Sequence, residues 1–268
     1  MFQPITPVVR NLLIINILVF ISSYFLRQDL LQYFSLYNFD SPNFAAYQVL
    51  TYMFLHFNFV HLFGNMLALY FFGPWLEQVM GSQRFLTYYM VTGIGAGILY
   101  GLVNLYENQT QRAALESYLA NPNPDAFVYY MSKYEPRVYE NAEEVKRFGQ
   151  EFSYHEKDKN YIETSKKVTT ELYQKRLLNH STVGASGAVF GILIAFGLIF
   201  PNVTLILFPI PVPIRAKILV TLYILYELYA GLNPSPYSNV AHFAHLSGAL
   251  IGFLLVKLWG LRGYDNFG

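Results

Sequence analysis

The chain has no cysteine among its 268 residues. Disulfides, thiol catalysis and cysteine-bound metals are therefore excluded, and the redox state of the compartment leaves no trace. Charge is scarce as well: Asp, Glu, Lys and Arg make up 13%, against roughly a quarter in an average soluble domain. The net charge of +1 comes without a clustered basic surface. Displacing counterions from phosphates needs such a surface, so nucleic acid is not expected as a partner. What is abundant is apolar and aromatic: 54% hydrophobic residues, with 23 Tyr and 23 Phe. Rings with an apolar body and a polar edge suit a bilayer interface.

Six stretches are apolar and long enough, at roughly 20 residues per crossing, to be membrane helices, near 10–26, 59–80, 83–104, 183–201, 214–231 and 240–259. The expected fold class is therefore an all-α membrane protein with six transmembrane helices. Within them Glu77 and Glu227 stand out, because an ionisable group at membrane depth faces protein or water and needs a partner. Arg10, Arg84, Arg215, Lys217, Lys257 and Arg262 all fall on one side if both termini are cytoplasmic, leaving Arg27 as the only short-loop basic residue outside. That asymmetry fixes the expected orientation. The first run lacks a cleavage site and no organelle presequence is visible, so a retained first span in the plasma (inner) membrane is expected.

One segment breaks the apolar pattern. Residues 105–180 carry 11 basic and 12 acidic residues, and a long segment of this kind is translocated largely regardless of charge. Asn-Pro-Asn-Pro at 121–124 reads as a turn, and Asn141–Gln150 is compatible with an amphipathic helix. Its aromatics are too frequent for a plain disordered linker, so a helical cap on the outer face is expected, with a disordered tether as the alternative. The chain thus divides into 1–104 with three spans, a polar extracytoplasmic insertion at 105–180, and 181–268 with three more. The loop at 27–58, with Tyr33, Phe34, Tyr37, Phe39, Phe44 and Tyr47, is expected to lie in the headgroup layer.

Three clusters of polar residues interrupt the spans. Gly184-Ala185-Ser186-Gly187 opens the fourth. A serine between glycines at a helix start is sterically open, and the helix N-terminus favours negative charge on an attacked carbonyl; small residues in membrane helices also serve plain close packing. Ala244-His245-Leu246-Ser247-Gly248 puts an imidazole in the sixth, where it can take a serine's proton and return it to a leaving amine without needing a carboxylate. Gly187-x-x-x-Gly191 and Gly248-x-x-x-Gly252 have the spacing that lets two helices approach closely. Phe190, one turn beyond Ser186, could offer its ring to that imidazole. In the second span His61 and Asn65 share a helix face, and both can donate to an oxyanion or serve as interhelical polar glue. A metal held by His61 with His242 or His245 would lack carboxylate or thiolate partners, so no metal and no cofactor are expected.

Together, His61-x-x-x-Asn65, Gly184-x-Ser186-Gly187 and Ala244-His245-x-x-Gly248, in this order on spans two, four and six, resemble the rhomboid intramembrane proteases. The resemblance covers all six spans and leaves out the 105–180 insertion. It implies a six-helix rhomboid bundle acting as an intramembrane serine endopeptidase on transmembrane-helix substrates. Ser186 would be the nucleophile, His245 the base of a Ser-His dyad, and His61, Asn65 and the Ser186 amide the oxyanion hole. It selects His245 over His242, since only His245 is followed by x-x-Gly. It makes Glu77, in Gly73-Pro74-Trp75-Leu76-Glu77, and also His56, structural. A substrate helix would enter between spans two and five, beneath a loop at 233–237. The alternatives are an inactive relative that binds membrane clients, which should have lost the serine or histidine, and a transporter, for which Glu227 alone is a thin basis. The sequence departs from the family where Tyr47-Gln48 replaces the usual Trp-Arg, and where Phe190 lacks the hydroxyl of the usual tyrosine.

Overall fold

Backbone polar groups in lipid must be paired internally, and each of the six apolar stretches is helical in the computed structural model, which describes residues 3–26, 29–207, 210–233, 240–261 and 263. Helix α1 (Pro7–Phe25) leads through α2 (Asp29–Phe34), strand β1 (Leu36–Tyr37), α3 (Gln48–Thr51) and a 3-10 turn (Tyr52–Phe54) to α4 (Phe59–Met80) and α5 (Ser82–Ala120). Helices α6 (Pro124–Tyr134), α7 (Pro136–Asn141), α8 (Glu143–Tyr154) and α9 (Lys159–Asn179) follow, then β2 (Ser181–Thr182) and α10 (Ser186–Ile199). Strands β3 (Thr204–Leu207) and β4 (Ile210–Arg215) form a hairpin before α11 (Ala216–Leu232) and α12 (His242–Leu258). Among the described residues α1, α4 and α5 are long and apolar enough to cross a membrane, while α10 and α12 are shorter apolar helices. Arg27, Arg262 and residues 234–239, most of the loop expected over the substrate path, lie outside the described residues.

Glycines set how closely the helices pack. A Cβ on Gly187 would come within 2.5 Å of Ala96 on α5, and one on Gly252 within 2.9 Å of the Gly191 Cα. Helix α10 is therefore wedged between α5 and α12, and its approach to α12 is the one the paired glycine spacings predict. The apolar core around it is drawn from α1, α4, α5 and α10, with Leu69, Leu76, Phe85, Ile192 and Phe196 essentially fully buried. Two buried hydroxyls are satisfied within it: Tyr88 donates to the Gly191 carbonyl at 2.6 Å and Tyr52 to that of Gly93 at 2.7 Å.

Glu77 is an anchor between helices. It accepts from the amides of Val8 and Val9 at 3.1 and 3.0 Å, and from the hydroxyls of Thr6 and Ser82. Val8 and Val9 belong to the first turn of α1, whose amides have no partner within the helix. The carboxylate buried in α4 thus caps α1, the structural role expected for it.

The first loop is held by Gln48, which stands where an arginine was expected. Its amide donates to the carbonyls of Tyr33 and Asn43 and accepts from the amides of Tyr37 and Ala45. One neutral side chain with donor and acceptor ends can hold four backbone groups where a guanidinium, with donors only, could not accept. The same loop is tied to the segment entering α10, because β1 pairs antiparallel with β2, Leu36 opposite Thr182 and Tyr37 opposite Ser181.

Helix α5 runs unbroken past residue 104 to Ala120, 39 residues in all. The Asn-Pro-Asn-Pro turn then works as its sequence suggests: Asn121 ends α5, Asn123 caps α6 by accepting from the Ala126 amide at 2.9 Å, and Pro124 opens α6. The helix expected over Asn141–Gln150 is divided, α7 ending at Asn141 and α8 beginning at Glu143. A second apolar cluster, of Leu115, Tyr118, Phe127, Tyr130, Met131 and Phe152, joins the end of α5 to α6 and α8. Asn108 donates to Asp40 at 3.0 Å and Asn43 to the Leu178 carbonyl at 2.9 Å, stitching this unit to the first loop.

Candidate active site

Ser186 is the first residue of α10. The chain reaches it through Gly184, whose φ of +131° favours glycine and whose amide donates to the Tyr52 carbonyl at 2.9 Å. The glycine is needed for a second reason. A Cβ there would sit 2.7 Å from His61 Nε2 and 3.7 Å from Ser186 Oγ. The bare Cα thus lets the His61 ring and the serine hydroxyl converge on one point. The helix starts later than the apolar run because the turn at Gly184-Ala185 is not helical, and the amides of its first turn, Ser186 included, lack intrahelical acceptors.

His61 and Asn65 lie one turn apart on α4, whose start is fixed by Asn58 accepting from the His61 amide at 2.8 Å. Asn65 is buried, and its Nδ2 has no hydrogen-bond partner among the described residues. A buried amide donor left open is costly, about 1–3 kcal/mol. It gives the site a donor that is ready for an incoming acceptor. His56 packs edge-on against His61, ring centroids 5.0 Å apart. Burial, with the neighbouring His61, pushes the His56 pKa down to about 3, so this imidazole stays neutral and does not collect protons.

His245 sits on α12 opposite α10 and stacks on Phe190, ring centroids 4.3 Å apart and planes 9° from parallel. Ser186 Oγ has no hydrogen-bond partner among the described residues, so the serine and His245 stand on facing helices without a direct bond. His242, one turn earlier, meets Tyr226 edge-on at 6.4 Å and faces α11. It also lines a cavity of about 440 Å³ between the bundle and the polar unit, together with Asn104, Glu107, Lys133 and Arg176.

The carboxylate of Glu227 lies where none was expected. Its Oε2 is 3.0 Å from His245 Nδ1 and 2.7 Å from His242 Nδ1, with the acid side chain 2% exposed. The only sequence cue was that a membrane-depth acid needs a partner. Glu227, His242 and His245 place one ligand atom each within 4.8 Å of one another, so the histidine group able to hold a cation contains a carboxylate and leaves out His61, unlike the grouping read from the sequence.

The family model described as Rhomboid domain matches residues 43–115 and 163–262 of the chain. No curated protein matches it. The matched blocks contain His61, Asn65, Ser186, Glu227 and His245, and the interval between them spans the end of α5, α6, α7, α8 and the start of α9.

Proposed function

Because the chain belongs to the Rhomboid domain family and is an integral membrane protein, we propose that it is an intramembrane serine endopeptidase that cleaves transmembrane-helix substrates with Ser186 as nucleophile and His245 as base. The observation that carries this reading is the convergence of Ser186 Oγ and His61 on Gly184, facing an imidazole held flat against Phe190. In the reaction, Ser186 Oγ bonds to the substrate's carbonyl carbon as its proton passes to His245. The resulting oxyanion accepts from the Ser186 amide, His61 and Asn65 Nδ2. His245 then gives the proton to the leaving nitrogen as the C–N bond breaks, and water repeats the sequence on the acyl-enzyme. The serine and histidine need to come into hydrogen-bond reach only when substrate is bound.

The same proposal takes α1, α4, α5, α10, α11 and α12 as six spans with both termini cytoplasmic in the plasma membrane. It takes 1–104, 105–180 and 181–268 as three units, the middle one an outer cap. Helices α4 and α11 both pack on α10, and a substrate helix entering between them would meet Ser186 at the head of α10. The competing reading is an inactive relative that binds membrane clients. It gives no reason for an open donor at Asn65, one turn along α4 from His61.

Labelling of the purified protein with a serine-directed fluorophosphonate tests the proposal. Wild type is expected to label, and Ser186→Ala and His245→Ala are not. Equal labelling of all three would overturn it.

A further inference from the structure

The geometry around His245 points to Glu227 as a positioning residue that fixes the tautomer and the plane of the catalytic base, making the site a three-helix arrangement of Ser186 on α10, His245 on α12 and Glu227 on α11. The inference rests on the Ser186–His245 reading above. An ionised carboxylate only accepts hydrogen bonds, so its contact with His245 at 3.0 Å requires the imidazole proton to be on Nδ1. A neutral imidazole has one such proton. Its lone pair is therefore on Nε2, the only nitrogen left to take a proton from Ser186.

Two independent contacts then define the ring. Glu227 holds one edge, and Phe190 lies against one face at 4.3 Å and 9°. Without the carboxylate, stacking alone would still permit a ring flip or the opposite tautomer, with the proton on the nitrogen that must receive one. When His245 is protonated during attack, the neighbouring carboxylate also lies beside the new positive charge, in a setting where water is scarce and such pairing is strong. A mere tie between α11 and α12 would be complete with His242, whose contact to the same oxygen is shorter at 2.7 Å. Sharing that oxygen with His245 is what a positioning role adds.

A divalent cation is the competing occupant of the cluster. It would take the Nδ1 lone pair and force the proton onto Nε2, leaving His245 unable to act as a base.

The test uses the full-length protein in proteoliposomes with a transmembrane-helix reporter. Glu227→Leu and Glu227→Asp are measured beside Ser186→Ala and His245→Ala, and [15N]histidine spectra report the tautomer. Glu227→Leu is expected to lower kcat at least about 10-fold while KM changes less than about twofold, and Glu227→Asp to recover part of the loss. The wild-type His245 signal should be that of the Nδ1–H tautomer. Wild-type kcat in a Glu227→Leu variant that melts like wild type would overturn the inference. So would an Nε2–H tautomer in the wild type, which decides the matter even if the leucine variant does not fold. An increase in wild-type kcat on adding EDTA would assign the cluster to a cation instead. Full cleavage by Ser186→Ala or His245→Ala is the distinct outcome that would remove the underlying dyad.

Discussion

Gly248 lies so close to Gly187 that a methyl group on it would come within 2.0 Å of the Gly187 carbonyl oxygen. That oxygen is backbone, one residue beyond Ser186, and cannot swing aside as a side-chain tip can. The separation of α10 and α12 at the level of the serine is thus set by two missing side chains.

Gly248→Ala is therefore expected to destabilise the protein by about 3 kcal/mol or more, at the upper end of overpacking costs, and to abolish fluorophosphonate labelling. Gly64→Ala is the matched comparison. Among the described residues nothing lies within 4 Å of a Cβ at Gly64, so its effect on thermal stability should stay within about 1 kcal/mol. Thermal melts in the same detergent check both.

Asn65→Ala is expected to reduce kcat about 100-fold, the usual cost of losing one oxyanion donor, with little change in KM. The unpartnered Nδ2 of Asn65 makes no bond whose loss could weaken the fold. Stability should fall by no more than about 1 kcal/mol. A large drop in melting temperature, with kcat unaffected, would place Asn65 among purely structural residues.

Glu135, between α6 and α7, accepts from Gln111 at 3.1 Å. Burial raises its pKa above the ordinary value of 4.5, although Gln111 and Arg176 pull the other way. A raised carboxyl pKa means the folded unit binds its proton more tightly than the unfolded chain. The associated stability is complete below 4.5 and is lost as pH rises through the raised value. Glu135→Gln keeps the acceptor and removes the charge. Its melting temperature should exceed wild type at about pH 7 and converge with it at about pH 4, as followed by tyrosine fluorescence.

The helical bundle was largely legible in the sequence, because period and composition mark lipid-facing helices strongly and because Gly187, Gly191, Gly248 and Gly252 announce close approach. Phe190 was legible for the same reason: residues one turn apart share a face. The contact of Glu227 with His245 was not. It joins α11 to α12 across a linker, and no spacing rule relates side chains on two helices whose crossing is set by tertiary packing. The extension of α5 was hidden by composition, since the residues after 104 turn polar without including a helix breaker until Pro122. Strands β1 and β2, at two residues each, are too short for any alternation to show. Gln48 taught the opposite lesson. The departure from Trp-Arg looked like a lost anchor, and the structure uses the amide as a better one.

The unbroken length of α5 has a metrical consequence. At 1.5 Å per residue, 39 residues make a rod of roughly 58 Å, nearly twice the thickness of a bilayer's hydrocarbon layer. Such a rod is a ruler: it fixes how far Tyr118 and the rings around it stand from the apolar first half of α5. A one-residue insertion near Tyr106 would lift that whole unit by about 1.5 Å and turn it by about 100°, carrying Glu107, Lys133 and Arg176 out of register with His242.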